Sequence, residues 1–373
     1  MQEIHDCDTL LGHAGRFCHL RGVVVQDVDL TACEERLDPC DLGGAVFLGC
    51  ALPPRLLARA QAEGALVFPR LPELPFHPYR PRLYTADELY AGYQRGSGRR
   101  GIEHDTTDAR IYAHYAAHRA SPPLLVALAQ RLHDHAVDDA LTDWLGAAER
   151  RVVAIMGGHG LSRGTPAYRG VARMARALAE RGYVLTSGGG PGAMEATHLG
   201  SWFAGADDAA LKSAIDHMAT AATYTAEAWR DTALVVRERR PAGAESLAVP
   251  TWFYGHEPTN AFATHVAKYF SNSLREDGLL AIAKHGVVFA EGRAGTVQEI
   301  FQDACQNHYV TAGVASPMVF YGVRYWTREL PALPLLASLS RGRLYEPMIA
   351  ASDDVDAIVR FIESHPPVAP PPP

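Results

Sequence analysis

The chain has 373 residues, 47% of them hydrophobic, and a formal net charge of -7, which is enough to bury a large core and build two domains. The negative balance argues against general nucleic-acid binding, which needs a basic surface. No apolar run approaches the roughly 20 residues of a membrane helix, and MQEIHDCDTL lacks the basic start and apolar core of a signal peptide, so a cytoplasmic protein without a membrane partner is expected.

Residues 1–102 mix short apolar runs with turns, in GVVVQDVDL near Val24, GAVFLGCAL near Val46 and ALVFPRLPELPF near Val67. Proline and glycine keep each element short, so an α+β region is expected, with no evident internal repeat. Five of the six cysteines, Cys7, Cys18, Cys33, Cys40 and Cys50, fall here. No pair has the spacing of a zinc knuckle, and reduced, mostly buried thiols are expected rather than a metal site.

Residues 103–150 read as a helical connector, with Leu124, Leu125, Leu128, Ala129 and Leu132 at helical spacing. From Arg151 the register changes. RVVAIMGG reads as a buried strand, AYRGVARMARALAERG as a helix with Val171, Met174, Ala175, Leu178 and Ala179 on one face, and YVLTSGGG as the next strand. Further strands are expected near Val249, Val288, Val319 and Ile349 with helices between most of them. This alternation predicts a doubly wound, Rossmann-like α/β domain with a parallel sheet over 151–365. The tail PPVAPPPP, residues 366–373, is expected to be disordered.

Three glycine-rich turns follow strands. In the first, Gly157 to Gly164, the segment beginning at Gly158 nearly fits the dinucleotide fingerprint G-x-G-x-x-G, but Arg163 stands at the third glycine and no acidic residue ends the next strand. NAD is therefore disfavoured; the loop either makes a tight turn only or closes over a nucleotide and offers it Arg163. The second turn, Gly188-Gly189-Gly190-Pro191-Gly192 with Met194 and Glu195 behind it, lets backbone approach a ligand at a helix N-terminus, the geometry of an anion site. It lacks the Lys-Ser/Thr ending of a P-loop. The third turn runs Glu291-Gly292-Arg293-Ala294-Gly295-Thr296-Val297-Gln298-Glu299. On spacing alone Thr296 and Glu299 read first as a helix capping box, with a ligand site as the other reading. Between the last two turns, Tyr254, His256, Glu257, Asn260 and Lys268 could contact a base or ribose. His256-Glu257 is not a zinc signature, because no second histidine follows at the required spacing.

GGGPGAMEA paired with a later G-x-G-T-x-x-E resembles the LOG (Lonely Guy) family, also described as lysine-decarboxylase-like, over about Val152 to Ser364. The longer bacterial nucleotide 5'-monophosphate nucleosidases, which carry extra N-terminal sequence, are the nearer comparison. The resemblance implies cleavage of the N-glycosidic bond of a nucleoside 5'-monophosphate to free base and ribose 5-phosphate, by a homodimer or higher homo-oligomer. The family motif P-G-G-x-G-T-x-x-E is matched at Gly292, Gly295, Thr296 and Glu299 and departs from it at Glu291 and Arg293. The family's arginine falls at Arg275, one residue off register. Implied roles are Glu299 stabilising a ribosyl cation or activating water, Arg275 orienting nucleotide or carboxylate, and the N–H groups of Gly189, Gly190, Gly192, Gly295 and Thr296 holding the phosphate. Glu257 and Asn260 are candidates for the base, and Arg293 either adds charge beside the phosphate or pairs with Glu291. No cofactor or metal is needed. A nucleotide-binding sensor that has lost turnover is the alternative; lysine decarboxylation finds no lysine in a pyridoxal-phosphate setting.

Overall fold

A computed structural model describes residues 2–371 except 72 and 256. The chain divides into two compact units, Met1–Leu83 with Ala116–Trp144, and Tyr84–Tyr115 with Leu145–Pro373. The stretch 103–150 is thus shared between them.

In the first unit four short strands, β1 (Gln2–Ile4), β2 (Val23–Gln26), β3 (Val46–Leu48) and β4 (Leu66–Phe68), pair side by side in chain order, all parallel. Gln2 lies beside Val23, Val24 beside Val46, and Val46 beside Leu66, so the chain coils with a step of about twenty residues. A regular coil is present where the sequence shows no repeat, because each return path is built differently. Helix α1 (Cys7–Phe17) makes the first, a short 3-10 turn at Glu35–Leu37 the second, and α2 (Pro54–Ala62) the third. Leu10, Leu20, Val25, Leu30, Leu42 and Phe47 fill the interior. Cys7 and Cys33 form a disulfide across it, which corrects the expectation of reduced thiols for that pair; Cys18, Cys40, Cys50 and Cys305 are free.

Helices α3 (Thr107–His118) and α4 (Leu124–Gly146) occupy the expected connector. The apolar face of α4 is rotated from the one read in sequence. Ala129, Ala136, Val137, Ala140 and Leu141 are buried, whereas Leu124, Leu125 and Leu128 are exposed.

The second unit is built on a seven-stranded parallel sheet. Its strands are β5 (Arg151–Met156), β6 (Tyr183–Ser187), β7 (Ser246–Ala248), β8 (His265–Val266), β9 (Val287–Phe289), β10 (Met318–Tyr321) and β11 (Ile349–Ser352), in spatial order β11-β10-β9-β5-β6-β7-β8. Alternate residues are buried on opposite faces. Val153, Ile155, Leu185, Val288 and Val319 join one core with α5 (Pro166–Glu180) and α6 (Ala193–Trp202), while Val152, Ala154, Met156, Val287 and Phe289 are equally buried away from it. Both faces are covered, as a doubly wound α/β fold requires. On the helix predicted from AYRGVARMARALAERG, Val171, Met174, Ala175 and Leu178 have no exposed surface, and Gly182 closes it with φ 79°. Strand β8 was not foreseen; two residues are too few for periodicity to reveal. Helices α7 (Asp208–Met218), α8 (Trp229–Arg239), α9 (Asn272–Ile282), α10 (Ala294–Tyr309), α11 (Ala332–Leu339) and α12 (Val355–Ser364) complete the unit. Among the described residues no helix is long and apolar enough to cross a membrane.

Two isolated bridges lie beside the sheet. Val368, in the tail expected to be disordered, exchanges two backbone hydrogen bonds with Ala315 at 2.8 and 2.9 Å. Prolines cannot donate such bonds, but valine can, and its neighbours hold it extended. At the β8 edge Tyr84 pairs with Val266, and buried Asp108 meets Lys268 Nζ at 2.8 Å while accepting from Trp252 Nε1 at 2.8 Å. This ion pair has almost no contact with water, so each charge depends on the other. Asp108→Ala is expected to lower unfolding free energy by about 3–5 kcal/mol, measured by urea denaturation. Replacing both partners together, Asp108→Leu with Lys268→Met, should recover most of that loss.

Candidate functional site

Strands β5 and β9 are neighbours, yet the chain leaves β5 for β6 on its other side. Their carboxyl ends therefore form the topological switch point where open parallel sheets bind ligands. The two loops leaving this point are fastened together: Ala290 N–H donates to Met156 O at 2.8 Å and Gly158 N–H to Glu291 O at 2.9 Å. The glycine turn after β6 closes against the same loop. Gly192, with φ 70°, sits so near the carbonyls of Gly158 and His159 that no Cβ would fit, and Ala193 N–H donates to Gly158 O at 3.2 Å.

These contacts leave the second turn with fewer free N–H groups than its glycines suggest. Gly189 N–H donates to Ser187 Oγ at 3.1 Å, Gly190 N–H points at Met194 Sδ at 3.4 Å, and all ten residues of α6 are buried. Helix α10 is different. It starts at Ala294, its N-cap Arg293 makes no side-chain cap, and Ala294 and Gly295 line an open cleft. The first N–H groups of a helix have no partner within it, so those of Ala294, Gly295 and Thr296 are available to a phosphate there. Thr296 and Glu299 both lie inside the helix, which excludes the capping-box reading.

Gly295 and Glu299 are four residues apart and share a helix face. Glu299 Oε1 is 3.5 Å from Arg275 Nη1 on α9, and both side chains are about nine-tenths buried. Burial raises the Glu299 carboxyl to about 7; Arg275 opposes that shift, while Glu276 and Glu257 add to it. Arg275 is held by Nε donating to Val249 O at 2.9 Å. Its guanidinium rests against Gly188, where a Cβ would collide with Nη2, and a Cβ on Gly190 would come within 2.9 Å of the Glu257 carboxyl carbon. The cleft, about 530 Å³, is lined by His159, Tyr224, Tyr254, Glu257, Gly295 and Gln298. His159 Nδ1 lies 3.8 Å from Glu257 Oε1, and its ring meets Tyr224 edge-on.

Several expected contacts are engaged elsewhere. Both Glu195 oxygens meet Arg163, at 2.7 and 2.5 Å, and one also accepts from Tyr168 at 3.0 Å. Arg163 Nη1 in turn donates to Trp229 O and Thr232 Oγ1, so its guanidinium is committed to the fold rather than offered to a nucleotide. Asn260 is fully buried and holds Gly189 O. Lys268 is paired with Asp108. Arg293 is exposed, and among the described residues no ion pair joins it to Glu291. Gly292 is buried, packs against Thr296, and its carbonyl accepts from Tyr325 Oη. His256 lies outside the described residues. His159 and Tyr224 were not foreseen; His159 sits inside the first glycine loop, whereas nothing near Tyr224 in sequence signals a site. Among the described residues the one grouping of ligand atoms close enough to share a metal ion, Glu3, His5 and Asp143, is in the first unit.

No protein-family model matches this chain, and no curated protein is significantly similar to it. Solved structures are. A molybdenum cofactor binding protein from the phototrophic bacterium Rippkaea orientalis is 13% identical, covering 58% of this chain and 97% of its own, with a TM-score of 0.37. The Moco carrier protein of Chlamydomonas reinhardtii is 16% identical over 58% of this chain and 99% of its own, with a TM-score of 0.36. Likeness this slight carries nothing about ligand or activity, which rest on the site's own geometry.

A carboxyl raised from 4.5 to about 7 on folding binds its proton more tightly in the folded state. It therefore stabilises the fold at low pH and loses that contribution as pH rises through 7. Glu299→Gln does not titrate. From pH 5 to pH 8 the stability difference between variant and wild type should shift in the variant's favour by on the order of 2 kcal/mol, read from urea denaturation at both pH values; parallel curves would mean that Glu299 is solvated.

Proposed function

We propose that this protein is a nucleoside 5'-monophosphate phosphoribohydrolase, releasing free base and ribose 5-phosphate. The observation that carries this reading is the buried Glu299–Arg275 pair, 3.5 Å apart, one helical turn behind the uncapped N-terminus of α10. A phosphate on the N–H groups of Ala294, Gly295 and Thr296 leaves the sugar beside Glu299, and the cleft continues to Tyr224, Tyr254 and Glu257, which suit a base. The LOG-like motifs around Gly188–Glu195 and Gly292–Glu299 support the same assignment.

In this reaction the C1'–N bond breaks and its electron pair leaves with the base, which takes up a proton. Water supplies the oxygen that joins C1'. The Glu299 carboxylate stabilises the cationic sugar and accepts the proton of the attacking water, a role for which a pKa near the working pH is suited. Arg275 keeps a fraction of Glu299 ionised despite its burial and fixes its orientation. Burial also excludes bulk water, which strengthens this electrostatic help.

The same burial favours a second reading, a nucleotide sensor without turnover. With its carboxyl raised to about 7, Glu299 is partly protonated at neutral pH. Incubation with a panel of purine and pyrimidine monophosphates separates the two. The hydrolase releases base with a kcat/KM that rises with pH through about 7, and Glu299→Gln removes that rise and lowers turnover by about 10²–10⁴-fold. Binding throughout the panel without released base identifies the sensor.

A further inference from the structure

Below the second glycine turn lies a buried polar chain that the reaction above does not use. Ser187 Oγ, which accepts Gly189 N–H, is 2.9 Å from His198 Nε2, and His198 Nδ1 is 2.9 Å from Ser246 Oγ. All three side chains are fully buried. On the other side of the same residue, Gly189 O accepts both the backbone N–H and the side-chain amide of Asn260, each at 2.9 Å. Gly189 is thus gripped at its N–H and its carbonyl, in a conformation with φ 79° that favours glycine.

A trans peptide directs its N–H and C=O to opposite sides. Holding the Gly189 carbonyl on Asn260 therefore turns the N–H of Gly190 the other way, towards Met194, while the Cα of the same residue lies against Glu257, which lines the cleft. There it meets only a thioether sulfur at 3.4 Å, a weak acceptor. A buried peptide N–H is costly to leave so poorly paired, and a ligand oxygen would satisfy it better.

We infer that His198, through Ser187, and Asn260 are positioning residues that reserve the Gly190 N–H for an oxygen of the bound ligand. Burial drives the His198 imidazole down to about 3, so the ring is neutral throughout the working range and offers one donor and one acceptor. That is the pattern needed to bridge two serine hydroxyls. The inference rests on the reading that this cleft takes a phosphorylated sugar.

The test follows amide resonances of Gly189, Gly190 and Gly295 in 15N-labelled full-length protein as ribose 5-phosphate is added. Gly190 should show the steep temperature coefficient of a weakly bonded N–H in the free protein and a shallow one when loaded, whereas Gly189 stays shallow throughout. His198→Leu should steepen Gly189 and weaken ribose 5-phosphate binding about tenfold, the size of one lost charge-assisted hydrogen bond. His198→Gln, which keeps a donor and an acceptor, should restore binding to within about threefold. Response of Gly295 without Gly190, or a folded His198→Leu that binds as wild type does, overturns the inference and leaves the proposed function standing. Response of both glycines in a protein that releases no base supports the inference and removes the hydrolase. Silence of both overturns the inference and the phosphorylated-ligand reading together.

Discussion

A largely buried carboxyl group paired with an arginine organises this site. Burial raises the Glu299 carboxyl, and the Arg275 guanidinium at 3.5 Å opposes that shift. That arrangement needs Arg275 to stay in place, and its position is set from two directions. Val249 O, just beyond β7, accepts its Nε, and the bare Cα of Gly188 lets its Nη2 approach without obstruction. The Gly188 turn thus acts first on an arginine.

Away from this pair, two other buried cations are held by carboxylates. Arg163 gathers Glu195, a carbonyl from α8 and a threonine hydroxyl, so the loop after β5, α6 and α8 share one cation. Asp108 and Lys268 do the same for α3 and the segment that follows β8. Such pairs gain little over well-packed apolar groups, but removing one partner is costly, so they specify one arrangement more than they add stability.

Much of the α/β unit was legible because its strands are apolar runs ended by glycine and its main helices have clean periodicity, as in Val171, Met174, Ala175 and Leu178. The Glu299–Arg275 pair was legible only through family motifs, since two residues on different helices have no spacing rule that predicts contact. The roles of Arg163, Glu195 and Asn260 were read as outward because charged and amide groups near glycine turns suit ligands. Their burial depends on α8 and the segment after β7, which are remote in sequence. The coil of the first unit was hidden for another reason: a parallel step of about twenty residues leaves a sequence repeat only when each return path uses the same device, and here helix, 3-10 turn and helix alternate.

The two departures from the glycine motif after β9 fall where backbone, not side chain, does the work. Glu291 replaces the motif's proline, but its contribution is a carbonyl that accepts Gly158 N–H, which either residue supplies. Arg293 replaces a glycine, yet its φ of -117° lies on the side of the backbone map open to any residue, and its side chain is exposed. Gly292 and Gly295 are not interchangeable with larger residues in the same way. A Cβ on Gly292 would strike Thr296, and one on Gly295 would meet no protein atom but would stand beside the N–H groups that the cleft exposes. Of the motif's glycines, then, those retained are the one that lets the turn pack and the one that leaves room for a ligand. Compared with the motif it resembles, the turn keeps the two glycines that leave the start of α10 unobstructed.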